Sequence, residues 1–310
     1  MNVTRYLHDT GIVRRKKGSK WSYHNAKNNT RVSKKTLEHI ETLAIPPQWN
    51  NVWIASSPHT HIQATGFDSV GRKQYIYSHR WIKSTTFQKY RRAQKLIEEI
   101  PKFKRILRKC LHNREHTKDK VIAAMFDIML KTGIRAGNEV YAEANNTYGL
   151  ASMKIKHLIG KSFKFIGKGG IEQTISLVKV CQPTMTVLRY LQKNKKKEAS
   201  LFPYSASDMN LFLKRYMSGY TCKDFRTVRA NEEFIRSFLR RSRSCAPDIK
   251  LAEIKRDIIL KAIDDSASVL GNTRNVCRSS YLNPRLLDYC LHHFKKAQQN
   301  TKKELWMISM

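Results

Sequence analysis

The sequence predicts an α+β chain of two domains. A small β-rich domain is expected over residues 1–83, and a larger, mainly helical domain with a three-stranded sheet over 84–310. Three observations lead there. A chain of 310 residues is longer than one hydrophobic core usually serves. Alternating, aromatic-rich runs separated by turn residues dominate the first eighty residues. From residue 86 onward apolar residues recur at helical spacing, interrupted by one group of three strand-like runs between 152 and 178.

Taking the elements in order, residues 14–20, RRKKGSK, form a basic run of the kind that is usually solvated or touches phosphate non-specifically. TLEHIETLAIPPQWNNVWIAS holds a short helix, the pair Pro46-Pro47 and a strand. HIQATGF and RKQYIYSHRW read as two strands joined by the turn DSVG, with Asp68 and Gly71 as turn residues. Alternation puts Tyr75 and Tyr77 on one face and Gln74 on the other, beside Arg72 and Lys73. Gln and Arg suit base edges and tyrosines suit stacking or phosphate contact; an ordinary amphipathic hairpin reads the same way.

The domain boundary is expected near Trp81 to Ser84. Residues 86–100 and 102–112 read as two Lys/Arg-rich helices broken at Pro101. Residues 118–132 form a strongly apolar helix with Val121, Met125 and Ile128 on one face. It delivers GIRAGNE, in which Arg135 follows a glycine stop. That arginine is either a structural ion pair, with Glu139 nearby, or an anion ligand. SMKIKHL, SFKFIG and EQTISLV are the three strands, and KGG at 168–170 is the turn of a hairpin with Lys168 at its tip. Later helices are SDMNLFLKRYM, capped by Ser207 or Asp208, KDFRTVRANEEFIRSFLRR with Lys223, Arg226 and Arg229, DIKLAEIKRDIILKAIDDSASVL, and PRLLDYCLHHFKKAQQ from Pro284. Between the last two, Gly271 stops one helix, Asn283 and Pro284 start the next, and Tyr281 sits on the connector.

Composition narrows the partner. The chain has 59 Lys and Arg against 24 Asp and Glu, a net charge of +35, with 41% hydrophobic residues for a core. Such an excess points to a polyanion, most commonly nucleic acid. The basic residues alternate with aromatics and periodic apolar positions, unlike a merely cationic tail. Cysteines at 110, 181, 222, 245, 277 and 290 form no CxxC pair, and the histidines complete no zinc pattern. Reduced thiols of a cytosolic or nucleoid compartment are expected, with no metal and no cofactor. The N-terminus lacks the apolar core of a signal peptide, and no apolar run reaches transmembrane length. A soluble intracellular protein without a membrane partner is expected.

Arg135, Lys168, Arg226, Asn272 and Tyr281 form a set suited to phosphoryl transfer without metal. Two arginines can grip non-bridging oxygens. A lysine can protonate the departing oxygen. Asn272 can donate one more hydrogen bond, and Tyr281 can attack phosphorus to give a phosphotyrosine. A phenol, with a pKa of about 10, needs surrounding cations to do this near neutral pH.

The order and the local words resemble the type IB DNA topoisomerases, in the compact branch of poxviruses, other large DNA viruses and many bacteria. GIRAGNE is similar to that family's first-arginine motif at Arg135, and KFIGKGG to its hairpin lysine at Lys168. KDFRTVRAN is similar to its second-arginine motif at Arg226, with Lys223 and Asn231 in supporting positions. LGNTRNVCRSSYLNP is similar to its tyrosine motif at Tyr281. ATGFDSVGRKQYIYSHRW is similar to its DNA-contacting strands, with Gln74, Tyr75 and Tyr77 at major-groove positions and Arg72 and Lys73 beside them. The resemblance implies a C-shaped clamp closing as a monomer round double-stranded DNA, a 3′-phosphotyrosyl intermediate, a 5′-hydroxyl leaving group, and relaxation of supercoils without ATP. Poxvirus members carry His where this chain has Asn272, as many bacterial members do. The donor role survives there without a charged donor, which bears on rate rather than mechanism. Two other readings share features. A tyrosine recombinase uses the same Arg, Lys, Arg, Tyr set, but usually with His-x-x-Arg where this chain has Lys223-x-x-Arg226. A non-enzymatic DNA-binding or packaging protein would explain the charge alone. Abundant Lys and Asn hint at an AT-rich genome and so at a large DNA virus, with the host cytoplasm and virion as locations; the alternative is a bacterial nucleoid.

Overall fold

The computed structural model describes residues 10–18, 20–137, 142, 144–244 and 252–308. Compactness divides the chain into two units, between Gln88 and Lys89. Their architecture is mixed α+β, as the sequence predicts: an antiparallel sheet first, then a mainly helical body with a small three-stranded sheet.

The first unit holds β1 (Ile12–Lys17), β2 (Lys20–Asn25), α1 (Lys34–Thr42), β3 (Asn50–Ile54), β4 (Ile62–Phe67) and β5 (Lys73–Tyr77). The sheet is antiparallel with strand order β2-β1-β3-β4-β5. Ser33 caps α1 by accepting from the Thr36 amide, and Ile40 turns into a core of Ile12, Trp49, Val52, Ile54 and Ala64. The basic run is strand rather than solvated coil. The pleat turns Arg14 inward, where its guanidinium donates to the carbonyls of Trp49 (2.5 Å) and Pro46 (3.2 Å) and lies 4.2 Å from the Trp21 ring. Arg15 and Lys16 stay exposed.

The second unit begins within α2 (His79–Leu111). This helix does not break at Pro101, contrary to the sequence reading. An interior proline costs about 3 kcal/mol. Ile100, Phe103, Leu107 and Leu111 on either side of it are all buried, and that burial outweighs the lost hydrogen bond. α3 (Lys118–Thr132) starts at Thr117, which accepts from the Lys120 amide, and ends at Gly133 in the left-handed conformation, φ 70°. Of the first expected strand of the small sheet, SMKIKHL, only Leu158 is β, in the two-residue strand β6 (Leu158–Ile159). The rest forms 3-10 turns, because the Ile155 and Lys156 amides donate to Ala199 and Lys197 across a loop, each at 2.9 Å. β7 (Ser162–Ile166) and β8 (Glu172–Ser176) complete the sheet in the order β6-β7-β8, joined by a turn in which Gly169 and Gly170 both take positive φ.

The remaining helices are α4 (Gln182–Gln192), α5 (Ala206–Tyr216), α6 (Cys222–Arg243), α7 (Ala252–Leu270), α8 (Arg274–Ser280), α9 (Pro284–His292), α10 (Phe294–Gln299) and α11 (Lys302–Ile308). Ser205, not Ser207 or Asp208, caps α5. Asp208 instead sits at the third helical position and returns a bond to the Ser205 amide, a capping box. The helix expected from Pro284 breaks at His293, which lets Phe294 turn in to meet the Phe238 ring edge-on at 5.5 Å.

Two hydrophobic clusters meet along α6. Its first half places Phe225 and Val228 in a cluster with Phe103, Phe126 and Phe212. Its second half places Phe234 and Phe238 in a cluster with α7 to α11 that includes Tyr281 itself. A helix gripped on both sides is a rigid carrier for the side chains it presents. Cys245 and Glu139 lie outside the described residues. The described cysteines are free thiols.

Candidate active site

α6 presents Arg226, which is only 3 % exposed and has no carboxylate partner among the described residues. Its Nη1 donates to the carbonyl of Gly133, and its Nη2 to that of Leu270 at 2.9 Å. Both carbonyls lie at helix C-termini, those of α3 and α7, where the helix dipole favours a cation. Gly133 and Gly271 (φ 57°) end those helices by turning the chain into the left-handed region. The arginine is therefore held by backbone and keeps its net charge. Burial draws its pKa below the ordinary value while Tyr281 pulls it up, and a guanidinium remains cationic at neutral pH.

The segments that follow the two glycines carry the next two residues. Arg135 Nη2 donates to Asn272 Oδ1. That bond fixes the amide's orientation, because the oxygen is used and Nδ2 must face away as a donor. Asn272 Nδ2 and Arg226 Nε are both buried without a hydrogen-bond partner. Unpaired buried donors are costly in a folded protein. Two around one site, both able only to donate, are what an anion would satisfy.

Tyr281 follows α8, a helix of Arg274–Ser280 that Thr273 caps. The sequence alone predicts a plain connector here, because seven residues are too few to show a helical period. The phenol ring is buried and lies 5.2 Å from the Arg226 guanidinium carbon. Burial pushes the Tyr281 hydroxyl up, but the charge of Arg226 beside it, together with Arg135 and Lys223, more than offsets this and holds it below the usual tyrosine range. Lys223 is exposed on the first turn of α6 and acts here through charge alone. Asn231 is fully buried, and its Nδ2 donates to the carbonyls of Thr227 (2.7 Å) and Tyr281 (2.8 Å) while its Oδ1 accepts from the Asn283 amide (2.9 Å). It ties α6 to the tyrosine segment.

Lys168 is exposed at the β7–β8 turn, and no contact among the described residues joins it to the other four. Its hairpin is anchored nearby, however. A Cβ on Gly271 would fall 1.8 Å from Gln173 Oε1, so the β8 glutamine packs directly on the backbone preceding Asn272. The structure thus brings together Arg135, Arg226, Asn272 and Tyr281, with Lys223 and Asn231 in support, and leaves Lys168 at the rim.

In the first unit, Asp68 organises the β4–β5 turn. Its carboxylate accepts from the amides of Val70 (3.1 Å) and Arg72 (2.9 Å) and from the side chains of Arg72 and Gln74, both at 2.9 Å. The two side chains expected to reach base edges are therefore pre-oriented by one carboxylate. Tyr75 and Tyr77 are exposed on one face with ring centroids 6.0 Å apart, and Lys73 Nζ lies 5.9 Å from the Tyr75 ring.

The sequence reading missed Lys89, Tyr90 and Arg92. Arg92 forms an ion pair with Asp224 at 2.9 Å, and Asp224 caps the start of α6 through Thr221. Lys89 and Tyr90 contact the tyrosine segment. In sequence all three read as the ordinary face of a basic helix. No cluster of His, Cys, Asp and Glu able to hold a metal occurs among the described residues.

Comparison with known proteins shows the family. A family model described as eukaryotic DNA topoisomerase I, catalytic core, matches residues 78–306, and one described as bacterial DNA topoisomerase IB, N-terminal domain, matches residues 20–68. The chain is 32% identical over 289 residues to DNA topoisomerase 1B of Acanthamoeba polyphaga mimivirus, covering 88% of this chain and 85% of that protein. It is 23% identical over 273 residues to DNA topoisomerase 1 of Rabbit fibroma virus (strain Kasza), covering 84% and 83%. DNA topoisomerase 1B of Vaccinia virus (strain Copenhagen) is 23% identical over 233 residues, covering 74% and 72%. With a catalytic-core model matching residues 78–306 and a viral relative 32% identical over 85% of its length, this chain belongs to the type IB DNA topoisomerase family.

Proposed function

We propose that this chain relaxes supercoiled duplex DNA by cutting and resealing one strand through Tyr281. The observation that carries the chemistry is the pair of unpartnered buried donors, Arg226 Nε and Asn272 Nδ2, beside a phenol whose pKa is drawn down by arginines. A scissile phosphodiester supplies the missing acceptors. Tyr281 Oη attacks phosphorus and loses its proton to solvent as the P–O bond forms. Arg135, Arg226 and Asn272 take the charge on the non-bridging oxygens. The P–O5′ bond breaks, and Lys168 gives its proton to the departing 5′ oxygen. The product is a 3′-phosphotyrosyl adduct and a free 5′-hydroxyl. The reverse reaction reseals the strand from the stored bond energy, so ATP has no place in the cycle. Lys168 stands at the rim, and in this reading its hairpin swings in when DNA fills the site.

Tyr75 and Tyr77, with Lys73, Arg72 and Gln74, supply the groove contact of the first unit. A single chain engages the duplex through both units. Among the described residues no helix is long and apolar enough to cross a membrane. The viral sources of the relatives support a viral origin, with action in the host cytoplasm and carriage in the virion.

The test is relaxation of a supercoiled plasmid in EDTA without ATP, with denaturant trapping of the adduct. Tyr281→Phe is expected to abolish both relaxation and trapping while leaving duplex binding nearly unchanged, since one oxygen is lost. Adducts that persist in Tyr281→Phe would assign the nucleophile elsewhere.

A further inference from the structure

Three consecutive carbonyls surround the candidate nucleophile, and each receives a side-chain donor. Ser280 O accepts from Lys89 Nζ, Tyr281 O from Asn231 Nδ2 at 2.8 Å, and Leu282 O from Tyr90 Oη at 2.5 Å. The end of a helix leaves its last carbonyls without intrahelical partners, and water usually serves them. Here α8 ends at Ser280, and the carbonyls that follow are met by residues from two other helices, α2 and α6. Tyr90 is buried, and its ring carries the Lys89 ammonium at 4.7 Å; the same ammonium lies 5.9 Å from the Tyr281 ring. Burial, with Lys223 and Arg92 adding repulsion against the attraction of Asp224, pulls Lys89 down to about 8. Lys89 is half-buried, and its ammonium is committed to the Ser280 carbonyl and two aromatic rings.

We propose that Lys89 and Tyr90 are positioning residues for Tyr281, gripping the peptide on either side of it so that its hydroxyl holds an in-line approach to phosphorus. This rests on the reading of Tyr281 as the nucleophile. Asn231 holds the middle carbonyl and the Asn283 amide from α6. Lys89 and Tyr90 add donors from α2 to the carbonyls on both flanks. A phenol hydroxyl lies far from its own backbone, so a small rotation of the peptide becomes a large displacement of Oη. Misplacement of a reacting atom by 1 Å costs about 100-fold in rate.

The experiment is single-turnover cleavage and religation on a duplex that traps the adduct, using Tyr90→Phe, Lys89→Met and Lys89→Arg. Tyr90→Phe removes one oxygen and keeps the packed ring, so the fold survives. Tyr90→Phe and Lys89→Met are expected to slow cleavage and religation by the same factor, roughly 10- to 100-fold. Both directions pass through one transition state, so the adduct fraction at equilibrium stays unchanged. Noncovalent DNA affinity and its salt slope stay unchanged too, and Lys89→Arg, which keeps a donor, recovers most of the rate. Wild-type rates in Tyr90→Phe and Lys89→Met overturn the proposal. So does a defect in affinity and salt slope alone, which would make Lys89 a phosphate contact. Failure of the underlying reading looks different: adducts then fail to form in the wild type or persist in Tyr281→Phe.

Discussion

At the scale of single residues, the reactivity of Tyr281 is a contest between burial and charge. Burial disfavours the phenolate, and Arg226, Arg135 and Lys223 favour it. The cations win, so the rising limb of cleavage rate against pH should lie below the ordinary tyrosine value of about 10. Lys223→Gln tests this without touching the phosphate ligands. Removing one positive charge makes the phenolate less favourable, so the limb should move to higher pH and the rate at pH 7.5 should fall. A limb that stays in place would remove Lys223 from the electrostatics of the site. Lys168 calls for a different test, since it stands at the rim. Lys168→Ala should slow cleavage of a normal phosphodiester by about 10²- to 10⁴-fold, the usual worth of a general acid. A substrate with sulfur at the bridging 5′ position has a leaving group that needs no proton, and the variant should cleave it nearly as fast as wild type. Arg135→Ala and Arg226→Ala should stay defective on both substrates, because they act on non-bridging oxygens. If sulfur rescues all three alike, or none, the hairpin serves DNA positioning instead.

At the scale of elements, the site is assembled from helix ends. α3 and α7 both stop at left-handed glycines, and their last carbonyls converge on one guanidinium from the second turn of α6. Gly271 does double duty, because Gln173 of β8 occupies the space of its absent side chain. Gly271→Ala should therefore cost about 1–2 kcal/mol from the left-handed backbone alone, read as a lower urea midpoint. The displaced Gln173 amide is the end of a flexible side chain and can move aside. Adding Gln173→Ala should recover only the steric part of the loss. Full recovery in the double variant would mean that the backbone conformation of Gly271 carries no cost.

At the scale of the whole molecule, a net charge of +35 is far more than solubility needs. With 59 lysines and arginines against 24 acidic residues, ion pairs such as Arg92–Asp224, Arg215–Asp119 and Arg274–Asp264 cannot neutralise most of these cations. Binding that neutralises several phosphates should weaken with salt at a log–log slope of about −0.9 per contact on duplex DNA. Titration of the Tyr281→Phe variant against a short duplex over a range of salt concentrations measures this without cleavage. A slope near zero would rule out binding through many phosphates.

What the sequence determined by itself was local. Gly133, Gly271, Asn283 and Pro284 punctuate helices through their own backbone preferences. The β4–β5 hairpin and the Gly169–Gly170 turn are equally legible, because turn chemistry acts over a few residues. The family motifs are short words around such turns, so the candidate residues could be named in order. Other features depended on contacts distant in sequence. Pro101 stays inside α2 because the residues flanking it are buried, and Arg14 turns inward because carbonyls more than thirty residues away await it. The grip of Lys89 and Tyr90 on the tyrosine segment spans 191 and 192 residues. No local pattern distinguishes those two side chains from their solvated neighbours on the same helix; only packing brings them to the carbonyls beside Tyr281.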